Sequence, residues 1–112
     1  MKVYVSGPIT HHTGPDPFGP AAETLKARGH EVLNPKDVPA CPRKNCVKLP
    51  HEIEKGWDHS WACFLKHDLA AMLTECDAIL MLDGWQDSHG ARLELTVASA
   101  TGMYVMFLKD IW

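Results

Sequence analysis

Ala78-Ile79-Leu80-Met81-Leu82 is an unbroken apolar run, flanked by Cys76-Asp77 on one side and Asp83-Gly84 on the other. A strand with one wet face alternates apolar and polar residues. A short run without alternation reads instead as a strand covered on both faces, the pattern of a parallel sheet between helices. Working outward, Val3-Tyr4-Val5 is a second β-branched and aromatic run that stops at Ser6-Gly7-Pro8. Glu31-Val32-Leu33, closed by Asn34-Pro35, is a third, and Met103 to Leu108 a fourth. The intervals carry helical spacing. Phe18, Ala21, Ala22, Leu25 and Ala27 follow Asp16-Pro17, a capping residue with proline at the first helical position, and stop at Arg28-Gly29. Trp61, Phe64, Leu65, Leu69, Met72 and Leu73 follow a capping Ser60, and Ala91 to Thr101 runs to Gly102.

The order β-α-β-loop-α-β-α-β predicts a single α/β domain over residues 1–112, a small flavodoxin-like (Rossmann-like) open parallel sheet with helices on both faces. Lys36 to His59 shows no period and carries prolines at 39, 42 and 50, so it is expected to be a long mobile lid with one short helical turn around Glu52 to Lys55. Trp57 and Trp61 are expected to fasten that loop to the core. With 112 residues, 46% hydrophobic and 22% charged, the chain suffices for one core and is too short for two ordinary domains.

A net charge of −3 offers no basic excess for gripping a nucleic-acid polymer. No apolar run approaches the roughly 18 residues of a membrane span, and the start runs into Ser6-Gly7-Pro8 without a signal-peptide core. The expectation is a soluble, cytoplasmic protein with no membrane partner and with its four cysteines reduced. The last helix carries two apolar stripes, Ala91/Leu95/Ala98 and Leu93/Val97/Ala100, and one sheet face covers only one of them. A homodimer or larger symmetric assembly follows as the expectation.

In such sheets ligands bind beyond the carboxyl ends of the strands, where the strand order reverses. This places Ser6, Gly7, Ile9 and Thr10 after the first strand opposite Trp85, Ser88 and Gly90 after the third, as candidate substrate-binding residues. Two carboxylates fall on apolar helix faces. Asp68 sits three residues after Leu65 and four before Met72, and needs either a structural donor or a functional pocket. Glu94 lies three residues after Ala91 and four before Ala98, near enough to its helix N-terminus for that end to help ionise it. Two carboxylates aimed at one cleft suit glycosidic-bond cleavage, in which one attacks the anomeric carbon and the other handles protons.

Gly7 and Gly90 would let backbone N–H groups approach an anion, and Ser88 could add a hydroxyl. Trp85 either stacks on a base or caps the core. No Walker loop or G-x-G-x-x-G is present, which leaves nucleotide-triphosphate hydrolysis and dinucleotide binding without support. Cys41-x4-Cys46 with His51 and His59 supplies enough ligands for zinc at a non-standard spacing, and the expectation is neither metal nor cofactor. His11, His12 and His89 read as solvated histidines of the site loops.

Val3-Tyr4-Val5-Ser6-Gly7-Pro8-Ile9, Asp68-Leu69 with Cys76-Asp77, and Ser88-x-Gly90-Ala91-x-x-Glu94 together resemble the nucleoside 2-deoxyribosyltransferase-like family, which includes the 2′-deoxynucleoside 5′-phosphate N-hydrolases. The resemblance spans the chain apart from about residues 36–59. It implies a flavodoxin-like, usually dimeric protein acting on a small nucleoside or nucleotide without a cofactor. By the same resemblance Glu94 is the nucleophile at C1′, Asp68 the carboxylate that helps protonate the leaving base, and Tyr4 a tyrosine near the sugar. Ser88 matches the serine that holds the 5′-phosphate, where transferases of free nucleosides tend to have aspartate. Thr10-His11-His12 stands where the hydrolases usually have an arginine. The implied activity is hydrolysis of the N-glycosidic bond of a (deoxy)nucleoside 5′-monophosphate. The alternatives are a deoxyribosyltransferase and a non-catalytic nucleotide-binding module.

Overall fold

The computed structural model describes residues 1–8, 17–39 and 46–111. Four strands, β1 (Lys2–Ser6), β2 (Glu31–Leu33), β3 (Ala78–Met81) and β4 (Tyr104–Phe107), form one all-parallel sheet in the order β2-β1-β3-β4. The helices are α1 (Phe18–Ala27), α2 (Pro50–Glu54), α3 (Trp61–Glu75) and α4 (His89–Ala100). This is the small flavodoxin-like α/β arrangement expected from the apolar strands, and its order reverses direction at β1 and β3.

Side-chain parity along the strands divides the core. Val3, Val5, Leu80 and Leu82 face α1 and pack with Phe18, Ala21, Leu25 and Ile111. Tyr4, Ile79 and Met81 point to the opposite face and meet Met72 of α3 with Ala91 and Ala98 of α4. Every residue of β3 is buried, which explains why its sequence does not alternate. Each fully buried large side chain contributes about 1.5–3 kcal/mol, so these two layers hold the sheet between its helices.

Local chemistry sets the helix ends. The Ser60 hydroxyl accepts from the Cys63 N–H at 2.9 Å and starts α3 as expected. Ser88 caps α4 in the same way, accepting from Ala91 N at 3.2 Å, so α4 begins at His89, two residues earlier than the apolar period indicates. Pro17 already has helical dihedrals ahead of α1, while Asp16, the expected cap, lies outside the described residues.

The segment expected to be a mobile lid with one short helical turn around Glu52 to Lys55 does hold a short helix there, and its own residues order part of it. A single 3-10 turn covers Pro35–Asp37, and α2 starts at Pro50, the position where proline costs a helix no hydrogen bond. The Glu52 side chain is buried and accepts from Leu49 N at 2.7 Å and from Trp61 N at 2.6 Å, tying α2 to the first residue of α3. This carboxylate fastens the segment, while the exposed Trp57 lies against His51 within it and the exposed Trp61 ring meets His89 of α4. The expected second stripe of α4 also needs correction. Val97 packs against the core, Leu93 is half-buried, and only Ala100 is exposed. Large uncovered apolar side chains instead cluster in sequence from Val47 to Phe64, with Leu49, Ile53, Trp57 and Trp61 between. Among the described residues no helix is long and apolar enough to cross a membrane.

Candidate functional site

Tyr4 and Ser6 are alternate residues of β1, so both side chains project to the α3/α4 face of the sheet. Glu94, one turn beyond Ala91 and one turn before Ala98, is carried by the buried side of α4 onto the same spot. The Tyr4 hydroxyl donates to Glu94 Oε2 at 2.6 Å, and the Ser6 hydroxyl donates to Oε1 at 2.7 Å. Tyr4 and Ser6 are fully buried, and Glu94 is 6% exposed. A carboxyl withdrawn this far from water tends to stay protonated, and burial does push the Glu94 pKa up. The two hydroxyls act against burial because each hydrogen bond favours the anion. Burial is the largest influence, ahead of the two hydroxyls. Tyr4 is itself pushed well above the ordinary phenol range by burial and by the facing Glu94 charge, which keeps it a donor at every working pH.

Asp68 on α3 completes the group. Its carboxyl is half-buried and has no hydrogen-bond partner among the described residues. Burial, with the charge of Glu94 second, moves its pKa up to about 7. Of the two readings open from sequence, a structural donor or a functional pocket, the first has no donor among the described residues to supply it. The two carboxyls therefore divide the work by environment. Glu94, with two donors, is the better anion, and Asp68, with none, is the better holder of a proton near neutrality.

The other expected residues are distributed unevenly. Gly7 lies at the end of β1, where a Cβ would stand 2.8 Å from Leu82 Cβ, so close backbone approach to the end of β3 accounts for this glycine. Gly90 carries no such constraint; a Cβ there would only touch the Trp61 ring at 3.9 Å. Ser88 accepts one hydrogen bond as the α4 cap and keeps its O–H available to donate. Trp85 leans on Phe107 with ring centroids 6.0 Å apart, beside a shallow groove also lined by Met81, Asp83 and Leu108. It is thus a core-capping residue at the β3/β4 end of the sheet. Ile9, Thr10, His11 and His12 lie outside the described residues. His89 meets Trp61 edge-on at 5.5 Å, which joins the start of α4 to the start of α3. Cys76-Asp77 belongs to the opposite end of the sheet, where Asp77 accepts from Lys2 N through its side chain and donates its own N–H to Lys2 O. That motif is structural.

Ser6 has a different role from the one its loop position indicated, because it holds Glu94 from the strand itself. The strand parity of Tyr4 and Ser6 is the signal that identifies it. A metal-capable group lies elsewhere: Cys46, His59 and Cys63 present ligand atoms within 4.8 Å of one another. Of the set suggested by spacing, Cys41 lies outside the described residues, and His51 is exposed and set edge-on to Trp57. The backbone N–H of Ser60 and the His59 ring hold the Cys46 thiol down at about 6. Cys63 belongs to this group because the Ser60 cap turns the first coil of α3 toward the preceding segment.

No curated protein and no solved structure matches the chain. A family model does, described as a domain of unknown function, DUF4406, and it covers residues 1–107, hence all four strands and both carboxyls of the site. The chain belongs to this DUF4406 family.

Proposed function

We propose that the protein cleaves the N-glycosidic bond of a (deoxy)nucleoside 5′-monophosphate, with Glu94 as nucleophile and Asp68 as proton donor. One observation carries this reading. A buried carboxylate held by two hydroxyls lies within electrostatic reach of a second carboxyl that has no donor and retains a proton up to about pH 7. That combination supplies a fixed anion and an acid at one place, which displacement at an anomeric carbon requires.

In the first step a Glu94 oxygen bonds to C1′ as the bond from C1′ to the base nitrogen breaks. The bonding pair leaves with the base, and the Asp68 proton neutralises it. In the second step a water oxygen attacks C1′, Asp68 takes the water's proton, and Glu94 departs as carboxylate. Tyr4 and Ser6 keep both Glu94 oxygens positioned throughout. The start of α4 lies one and a half turns before Glu94, with the Ser88 O–H available to a 5′-phosphate. This agrees with the likeness of Ser88-x-Gly90-Ala91-x-x-Glu94 to the nucleoside 2-deoxyribosyltransferase-like family.

Chromatography of free base after incubation with each deoxynucleoside and ribonucleoside 5′-monophosphate tests the proposal. Release by the wild type that is lost in Glu94→Gln supports it. Tight binding without release, unchanged in that variant, would assign the pocket to nucleotide binding alone. Adding a second base distinguishes hydrolysis from sugar transfer, since only a transferase produces the new nucleotide.

A further inference from the structure

We propose that Cys46, His59 and Cys63 are ligands of a zinc site that ties the segment preceding α2 to the first turn of α3, these three being the ligands it draws from the described residues. The three residues are separated in sequence and converge in space: Cys46 lies before α2, His59 just ahead of the Ser60 cap, and Cys63 in the first turn of α3. Their ligand atoms all fall within 4.8 Å, and Cys63 Sγ stands 3.9 Å from His59 Nδ1. Around a tetrahedral zinc the corresponding separations are about 3.5–3.8 Å for ordinary zinc–sulfur and zinc–nitrogen bonds. Side-chain rotations closing each gap by about 1 Å or less therefore suffice.

The frame around the ligands is already fixed. Ser60 Oγ holds Cys63 N at 2.9 Å, and Glu52 closes the intervening segment by binding Leu49 N and Trp61 N. The donor set selects the metal. Two thiolates and a neutral imidazole suit zinc better than magnesium or calcium, and they bring its double charge to zero in a half-buried place. Both cysteines bind as thiolates, any remaining thiol proton passing to solvent, and the oxidation state of metal and sulfur is unchanged.

This site is independent of the carboxyl pair, so its test stands apart from that of the glycosidase reading. The full chain is dialysed against zinc and then against metal-free buffer, and its metal content is measured by elemental analysis. One zinc per chain is expected, lost in Cys46→Ser and Cys63→Ser and retained in Cys76→Ser, whose thiol is buried elsewhere. Cobalt substitution of the wild type reports the ligands without depending on whether a variant folds. Expected are tetrahedral visible bands with thiolate-to-cobalt charge transfer, abolished by added zinc. Melting temperature should rise with zinc and fall back on chelation. Wild-type protein without zinc above background, a cobalt spectrum free of thiolate charge transfer, or equal zinc in the cysteine variants overturns the site. So does a Cys46–Cys63 disulfide as the stable form in the presence of thiol reductant and zinc.

Discussion

At Glu94 burial and hydrogen bonding oppose each other, and the balance determines what each substitution does. Tyr4→Phe removes one donor to a buried charge, a loss of about 1.5–3 kcal/mol, so kcat for base release should fall by roughly 10–100-fold. Its acid limb should move to higher pH, because a carboxylate with one donor fewer is easier to protonate. In the proposed mechanism Asp68 sets the opposite limb. Its acid form is needed for the leaving base and is lost above about 7, so base release should decline on the alkaline side of that value, and Asp68→Asn should remove that limb along with most of the rate. Ser88→Ala should raise KM for nucleoside 5′-monophosphates by about 10-fold or more while leaving free nucleosides nearly unchanged, since only the former present a phosphate. Equal effects on both substrate classes would remove Ser88 from phosphate recognition and leave it as the cap of α4.

Among the elements, the junction of α2 and α3 depends on one carboxylate. The Trp61 N–H, and next the Leu49 N–H, hold Glu52 below the ordinary carboxylate range, so its two hydrogen bonds should persist at pH 5 and fail only as acid protonates it. Glu52→Gln has a single carbonyl oxygen to offer the two amides. Hydrogen exchange at Leu49 and Trp61 should accelerate, with β1 and β3 unchanged. Loss of protection throughout the sheet would show that the junction supports the whole fold. This junction was illegible in the sequence, because Glu52 lies in a stretch without period and its partners are backbone groups three and nine residues away. The four strands and α1, α3 and α4 were legible, since each buries a face whose spacing marks it. Asp68 and Glu94 could be singled out as two carboxyls on apolar faces, and Tyr4 only through the family resemblance. The part of Ser6 was misread because a serine at a strand end looks like part of the following turn. The Cys46, His59 and Cys63 group depends on a helix cap turning a residue back toward a distant loop, which spacing alone does not encode.

For the molecule as a whole, function and stability pull in opposite directions at the site. Both carboxyl pKa values are raised on folding, so the folded state binds more protons than the unfolded chain between the ordinary carboxylate range and about 7. Stability must therefore fall as pH rises through that window. Asp68→Asn should relieve this by about 1 kcal/mol after solvent screening of a half-exposed group, raising the melting temperature by roughly 4–8 °C at pH 8 and little at pH 4. A rise of the same size at both pH values would locate the effect elsewhere. The exposed Ile53, Trp57, Trp61 and Phe64 near the α2–α3 junction are where a symmetric dimer would find cover. Sedimentation should show a dimer at high micromolar concentration that Ile53→Asp weakens; a monomer there would rule out this assembly.

The proposed mechanism forms a covalent bond between C1′ and Glu94, and intact-protein and peptide mass spectrometry can detect it after incubation with a 2′-fluoro-arabinosyl nucleoside 5′-monophosphate. The electron-withdrawing fluorine disfavours positive charge at C1′ and slows breakdown of the glycosyl ester. The result expected is a mass gain of one fluorinated sugar phosphate on the peptide containing Glu94, accompanied by one equivalent of released base and absent from Glu94→Gln. Base released at the wild-type rate by Glu94→Gln, or an adduct mapped to any other residue, would contradict it.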